Sequence, residues 1–258
     1  MSRLEVAAKN GDIQEVIGLL ENDCTRVTSK ALTLAIHNGH FKVAKKLVKH
    51  AWLNDDMKIR PELLGTLRGH TRVAKSIKFI MRHIPNWTNS TNKRGLTPLI
   101  VASGLGLEEA VATLLSNIDI KVNMAADNGV TALIMAAQNG HANVVKLLLE
   151  KEDIEVNKAQ LEGTDHNYAA TPLCLAAFRG YETVVELLLA KEGIDVNKTN
   201  DNGASPLFIA ARCGHVRVVK LLLKHQHIDV NQANRKGATP LFIAAKNGHN
   251  KVVKHILQ

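Results

Sequence analysis

The sequence predicts an all-α fold, a solenoid of helix-turn-helix units stacked side by side. Self-similarity is the first observation: G-A-S-P-L-F-I-A-A begins at Gly203 and G-A-T-P-L-F-I-A-A begins 34 residues later at Gly237. A fixed period of this kind is typical of repeat architectures. Composition is the second: 45% of the 258 residues are hydrophobic but only 3% are aromatic. A core of Leu, Ile, Val and Ala suits closely packed helices.

A glycine near the middle of each unit, usually followed by histidine, marks eight units. These glycines are Gly11, Gly39, Gly69, Gly106, Gly140, Gly180, Gly214 and Gly248. Successive spacings are 28, 30, 37, 34, 40, 34 and 34 residues. The units are therefore regular from about residue 95 and irregular before it.

Each regular unit contains local signals for two helices. Ser205-Pro206 opens the first helix, because the hydroxyl caps it and proline fits the first turn. Gly214 ends that helix, since glycine tolerates the left-handed conformation found there. Val218–Leu223 forms the buried second helix, with polar residues on its outer side. Paired alanines such as Ala210-Ala211 allow a neighbouring helix to come close.

These spacings predict five regular repeats over 95–258 and, before them, a degenerate, basic region over residues 1–94. Its units span 2–23, 30–53 and 60–84, with too little chain between them for full fingers, so bare helical pairs are expected. In the third unit Glu62, Gly65 and Lys78 stand where the other units have Leu, Ala and Leu. Pro85 then interrupts the chain.

Two further features distinguish the regular part. The 40-residue spacing indicates an enlarged finger near 158–169. At the other end of this part, His255 replaces the leucine found at Leu147 and Leu221, which predicts a C-terminal cap with a polar outer face.

Several motifs together resemble the ankyrin repeat. They are the Ser/Thr-Pro-Leu triplets at Thr97, Thr171, Ser205 and Thr239, the Gly-His pairs, and the acidic residue-Val-Asn endings at Asn157, Asn197 and Asn231. The resemblance covers 95–258 and extends more weakly to residue 2. It implies short β-hairpin fingers at right angles to the helices, and binding of a protein partner through the concave surface of fingers and first helices.

The sequence departs from the family at the position after each triplet. The histidine usual there is replaced by Ile100, Ile134, Cys174, Phe208 and Phe242. Apolar packing is expected to substitute for its hydrogen bonds. The resemblance also implies that the Asn ending a unit (Asn123, Asn157, Asn197 or Asn231) can be hydroxylated, whereas the structural interpretation is that its amide braces the finger against its neighbour.

The charge is unevenly distributed. Residues 1–94 carry the entire net charge of +9, and residues 95–258 are neutral overall. Such asymmetry indicates an acidic partner, an anionic membrane surface or nucleic acid. Nucleic acid would require these charges on one surface with aromatic rings to stack on bases, and Phe41, Phe79 and Trp87 lie nearby in the sequence. Lys45, Lys75, Lys146, Lys220 and Lys254 recur in one column, which indicates a solvated outer face.

No motif indicates an enzyme, a cofactor or a metal site. A Gly-rich phosphate loop, His-Glu-x-x-His and a nucleophile elbow are absent from the sequence. The Gly-His histidines recur at one repeat position, which indicates a structural role. Cys24, Cys174 and Cys213 are few and irregularly spaced, and this favours a reducing compartment. We therefore predict a monomeric protein, without a membrane span, in cytoplasm, nucleus or host cytosol.

The partner-binding residues are predicted where the repeats differ. They are Tyr168, Phe178, Arg179, Arg212, Arg235, Lys236 and Lys246, at finger positions or first-helix ends from the sixth unit onward. Tyr, Phe and Arg dominate binding hot spots. Packing of Phe178 under the enlarged finger is an equal alternative.

The predicted function is a scaffold that binds another protein, with an acidic surface, through its concave face. A bacterial effector acting on a host protein has this kind of sequence. Two alternatives stay open: binding of nucleic acid or an acidic surface by the basic first third, and service as the targeting module of a larger enzyme.

Overall fold

The computed structural model describes residues 1–21, 29–51, 73–83, 87–92, 94–161 and 170–258. Across these ranges the chain forms fifteen α-helices, one 3₁₀ turn at Trp87–Asn89 and no strand, which confirms the all-α fold class. The helices are α1 (Arg3–Asn10), α2 (Ile13–Glu21), α3 (Ser29–His37), α4 (Phe41–Ala51), α5 (Val73–His83), α6 (Pro98–Gly104), α7 (Glu108–Leu115), α8 (Ala132–Asn139), α9 (Ala142–Leu149), α10 (Pro172–Arg179), α11 (Glu182–Leu189), α12 (Pro206–Cys213), α13 (Val216–Leu223), α14 (Pro240–Lys246) and α15 (Asn250–Ile256).

The chain divides into two compact units. The N-terminal unit comprises residues 1–102 and 109–120, and the C-terminal unit comprises residues 103–108 and 121–258. Among the described residues, no helix is both long enough and apolar enough to cross a bilayer.

The C-terminal unit is built in two helical layers. The first helices of successive repeats, α8, α10, α12 and α14, pack in chain order, and so do the second helices α9, α11, α13 and α15. Alanine pairs such as Ala176-Ala177 and Ala210-Ala211 are fully buried, and their small side chains let neighbouring first helices approach. The exposed lysines of the second helices, Lys146, Lys220 and Lys254, lie on the outer side as the sequence indicates.

The N-terminal unit contains the predicted helical pairs. Helix α1 packs on α2 and on α3, α3 packs on α4, and α4 packs on α5. A capping box at Ser2 and Glu5 starts the first helix, since each side chain accepts a hydrogen bond from the other residue's backbone N–H. The expected first helix of the third unit, with Glu62 and Gly65, lies outside the described residues.

The helix caps are those that the repeat motif predicts. The hydroxyls of Thr171, Ser205 and Thr239 each accept a hydrogen bond, 3.2 Å long, from the backbone N–H three residues on. Gly214 follows α12 with φ 75°, in the left-handed region. A Cβ at this glycine would lie 2.8 Å from the His249 ring of the next repeat, so close approach as well as backbone conformation requires glycine.

The fingers of the C-terminal unit are tight turns without strand geometry in the described residues. The N–H of Asn200 donates to the carbonyl of Ala204, and the N–H of Asn234 donates to that of Ala238. Adjacent fingers are joined because the Arg235 N–H donates to the Asn202 carbonyl over 3.0 Å. In the enlarged finger, residues 162–169, Tyr168 among them, lie outside the described residues.

Buried side chains occupy this position in four repeats and not in the last, but the expected replacement of hydrogen bonds by apolar packing does not hold at Cys174, whose thiol donates to the Lys198 carbonyl over 3.4 Å. Ile100, Ile134, Cys174 and Phe208 are at most 3% exposed, but Phe242 is 57% exposed. Leu147, Leu221 and His255 are all half-buried, so His255 does not replace a fully buried leucine. The last repeat instead exposes apolar side chains, Phe242 and Leu257.

Candidate partner-binding groove

A groove of about 510 Å³ lies between the last two first helices of the C-terminal unit and their fingers. We call it the basic groove. Its characteristic side chains are Phe208, Arg212, Arg235, Lys236, Phe242 and Lys246. Four of the seven residues predicted from sequence, two arginines and two lysines, are thus brought together.

The repeat period positions the basic side chains. Arg212 in α12 and Lys246 in α14 occupy equivalent positions near first-helix ends, 34 residues apart. Arg235 and Lys236 lie at the tip of the following finger. Its turn is fixed by Asn234, whose Oδ1 accepts hydrogen bonds of 3.0 Å from the N–H groups of Lys236 and Ala238.

Phe178, itself a predicted residue, connects one more of them, Arg179, to the groove. The guanidinium carbons of Arg179 and Arg212 lie 5.5 and 5.9 Å from the centre of its ring, within cation–π range. Phe178 is half-buried, whereas Arg179 is exposed. Arg212 therefore belongs both to this cluster and to the basic groove. Packing of Phe178 under the enlarged finger stays a prediction, because that finger lies outside the described residues.

The electrostatics of the groove are one-sided. Arg212, Arg235, Lys236 and Lys246 form no ion pair with any carboxylate of the described ranges, and no Asp or Glu lines the groove. Arg235, Lys236 and Lys246 are exposed and Arg212 is half-buried. Uncompensated cations beside apolar rings attract an anionic ligand that also offers apolar surface.

The recurring histidines hold the helix ends that carry these side chains. Nε2 of His215 lies 3.0 Å from the Phe178 carbonyl, and Nε2 of His249 lies 3.0 Å from the Arg212 carbonyl. The Asn247 amide also donates to the Arg212 carbonyl, over 2.9 Å. These bonds satisfy carbonyls at the end of a helix, where no backbone partner exists. The structural role predicted for the histidines is confirmed.

The asparagines that end the repeats also act across repeats. The Asn197 amide donates to the His227 carbonyl over 2.6 Å, and its Oδ1 accepts from the Asp229 N–H over 2.9 Å. Asn157 makes the same pair of bonds to Gly193 and Asp195. The bracing prediction is confirmed, but the braced segment is the loop after the next second helix and not the finger.

The described residues contain no cluster of His, Cys, Asp and Glu able to hold a metal ion. Burial raises the pKa of the Cys174 thiol to about 11, against an ordinary value of 9.0. This thiol is neutral at neutral pH, and it is buried and donates to the Lys198 carbonyl over 3.4 Å.

Two groove residues, Phe208 and Phe242, were not among the predicted site residues. Both were assigned to packing between repeats, which holds for Phe208 at 3% exposure. Phe242 is instead 57% exposed, which its local sequence pattern does not indicate.

Fold and groove together define a helical repeat protein of the binding-module class. A family model for ankyrin repeats, containing three repeat copies, matches residues 4–125, 67–160, 121–200 and 173–258. The chain therefore belongs to the ankyrin-repeat family, whose members are generic protein–protein interaction modules and typically non-catalytic scaffolds. No curated protein matches the chain.

Proposed function

We propose that this protein recognises an acidic protein partner through the basic groove of its C-terminal unit. The observation that carries the proposal is the grouping of four unpaired cations around the exposed ring of Phe242. Arginine and aromatic side chains dominate interface hot spots because they combine buried area with directional polar contacts.

Binding relies on a preformed surface. The finger turns are held by backbone bonds, and the helix ends beneath Arg212 and Phe178 are held by His249 and His215. Little ordering entropy is therefore lost on association. Carboxylates of the partner pair with the cations, while an apolar side chain of the partner covers Phe242.

The first prediction concerns charge reversal at the site. The double variant R179E/R212E replaces both guanidiniums beside Phe178, and we expect affinity for the acidic partner to fall at least about tenfold, or 1.4 kcal/mol. The partner is first recovered by pull-down with the full chain and identified by mass spectrometry. Affinity is then measured by titration calorimetry at fixed salt.

The matched control is K146E/K220E, which makes the same change in net charge on exposed second-helix positions. Its affinity is expected to stay within about twofold of the unaltered protein, as for surface charges away from an interface. Equal losses in both variants would mean that net charge alone governs binding. An unchanged affinity of R179E/R212E would contradict the proposed site.

The proposal extends to biological setting. We infer a monomer acting in cytoplasm, nucleus or host cytosol, with a bacterial effector as one role and a targeting module of a larger enzyme as the other. The inference rests on family analogy. Analytical ultracentrifugation tests the monomer, a translocation reporter fused to the full chain tests the effector, and the complete reading frame tests the targeting module.

A further inference from the structure

The N-terminal unit has its own groove, of about 660 Å³, beside α4 and α5. We call it the aromatic groove. It is lined by Phe41, Lys75, Lys78, Phe79, Arg82 and His83, with Met81 and Asn117 completing the described lining. The ring centres of Phe41 and Phe79 are 5.5 Å apart, and His83 stacks on Phe79 at 4.3 Å with an interplanar angle of 24°. Three half-buried rings therefore follow one another along the groove.

These residues stand at positions where the regular repeats have other side chains. Relative to the central glycine, Lys78 occupies a position that is leucine in all five regular repeats. This leucine is buried at Leu115 and Leu149, half-buried at Leu189 and Leu223, and exposed at Leu257. Lys78 is exposed. The register is secure, because Ile77 is fully buried like Leu148 at the equivalent position. A cation thus replaces the leucine found at this position in the regular repeats.

The two phenylalanines are departures of the same kind. Phe79 corresponds to Glu150 and Lys224, and Phe41 corresponds to Ala142 and Glu182. Neither position needs an aromatic residue for the repeat to fold, since the regular repeats form the same second helix without one. Three independent departures at 41, 78 and 79 converge on one groove, and this indicates a role beyond folding.

The charged side chains in the described lining of the groove are cationic. Lys75, Lys78 and Arg82 are exposed, and none forms an ion pair in the described part of the chain. Among the described residues, no carboxylate lines the groove. Trp87 is 2% exposed and does not line the groove, so its ring is not available for base stacking there.

We propose that the aromatic groove binds single-stranded nucleic acid. Cations that follow the phosphate backbone, together with rings on which bases stack, are the two elements that sequence-tolerant single-strand binding requires. An anionic membrane would use the cations but gives no reason for aromatic residues at 41 and 79, and the dT20 titration below separates single-stranded nucleic acid from an acidic protein. The inference does not depend on the partner proposed for the basic groove.

The second prediction tests the phosphate contacts. The probe is fluorescein-labelled dT20, titrated with the full-length chain and followed by anisotropy across a salt series. The triple variant K75Q/K78L/R82Q removes three cations, and K78L restores the residue that the regular repeats carry. We expect affinity to fall at least about tenfold and the slope of log K against log salt to decrease in magnitude by about 2, since each phosphate contact contributes about 0.7 for single strands.

A separate variant tests the rings. F79L keeps an apolar side chain but removes the stacking surface, so affinity for dT20 is expected to fall about fivefold or more with an unchanged salt slope. The control for the cation variant is K146Q/K220Q, which removes two exposed cations from second helices of the C-terminal unit; Lys146 is the counterpart of Lys75. Far-UV circular dichroism melts establish that each variant is folded.

The outcomes separate the proposal from its alternatives. Lack of dT20 binding at low salt overturns it, and so does equal loss in K75Q/K78L/R82Q and K146Q/K220Q. If F79L binds dT20 as well as the unaltered protein, the groove is a general polyanion patch, and equal binding to phosphatidylserine vesicles supports that reading. R179E/R212E should bind dT20 normally, so failure of either groove is distinguishable from failure of the other.

Discussion

Single side chains connect each repeat of the C-terminal unit to the next. Asn157 and Asn197 each donate to one backbone group and accept from another in the loop of the following repeat. An amide is suited to this position because it carries a donor and an acceptor on one planar group. Neither aspartate nor leucine offers both. This requirement explains why asparagine recurs at the end of the repeats.

The third prediction compares two asparagines at equivalent positions. Asn197→Ala removes both bonds to the next repeat, and we expect a loss of about 1–2 kcal/mol in the free energy of unfolding. Asn231→Ala is the control, because among the described residues the Asn231 side chain has no such loop to bond. Its effect should lie within about 0.5 kcal/mol. Urea denaturation followed by circular dichroism measures both, and equal effects would show that the bracing bonds do not matter.

At the scale of the element, each first helix depends on the repeat that follows it. Helix α12 ends at Gly214, and the His249 ring fits over this glycine to reach the Arg212 carbonyl. The contact of His249 therefore both completes the end of α12 and packs one repeat against the next. Gly248, which follows α14, has the same left-handed backbone with φ 74° but open space around it.

The fourth prediction uses this difference. Gly248→Ala suffers only the left-handed backbone cost of about 1–2 kcal/mol. Gly214→Ala suffers that cost and also displaces His249, whose hydrogen bond contributes about 1 kcal/mol more. Thermal melts of the two variants give the comparison. Equal destabilisation would mean that the His249 contact contributes nothing to the stability of α12.

The regular elements could be predicted from the sequence because their signals are local and repeated. Ser205-Pro206, Ala210-Ala211 and Gly214 each fix a cap, a contact or an end within a few residues. Grouping of Arg212 with Lys246 follows from the 34-residue period. The aromatic groove could not be predicted in the same way, because spacings of 28 and 30 residues obscure which positions of the early repeats face each other.

In the basic groove, the exposure of a phenylalanine depends on what surrounds it in the fold and not on its residue type. Phe208 and Phe242 have identical neighbours in sequence, L-F-I-A-A, yet one is 3% and the other 57% exposed. Predicting whether an apolar side chain is exposed therefore requires knowledge of its surroundings in the fold, which a local sequence pattern does not contain.

For the molecule as a whole, charge and burial have separate distributions. The net positive charge belongs to residues 1–94, whereas burial within the C-terminal unit falls toward its last repeat. Helix α12 buries six residues, but α14 buries two and α15 one. In repeat proteins each repeat is stabilised by its own contacts and by those with its nearest neighbours. A repeat that buries fewer residues is accordingly less stable than its neighbours.

The fifth prediction follows from this gradient. Amide hydrogen exchange of the full chain, read by mass spectrometry, should show α14 and α15 exchanging at least about tenfold faster than α10–α13, a difference of about 1.4 kcal/mol in local opening. Binding of an acidic partner at Arg235, Lys236 and Lys246 should slow exchange in α14 more than in α10. Uniform exchange across α10–α15 would instead mean that the C-terminal unit opens as one cooperative block. The last repeat, which lines the basic groove, would then be as stable as the others. Partner binding would in that case not slow amide exchange in α14 more than in α10.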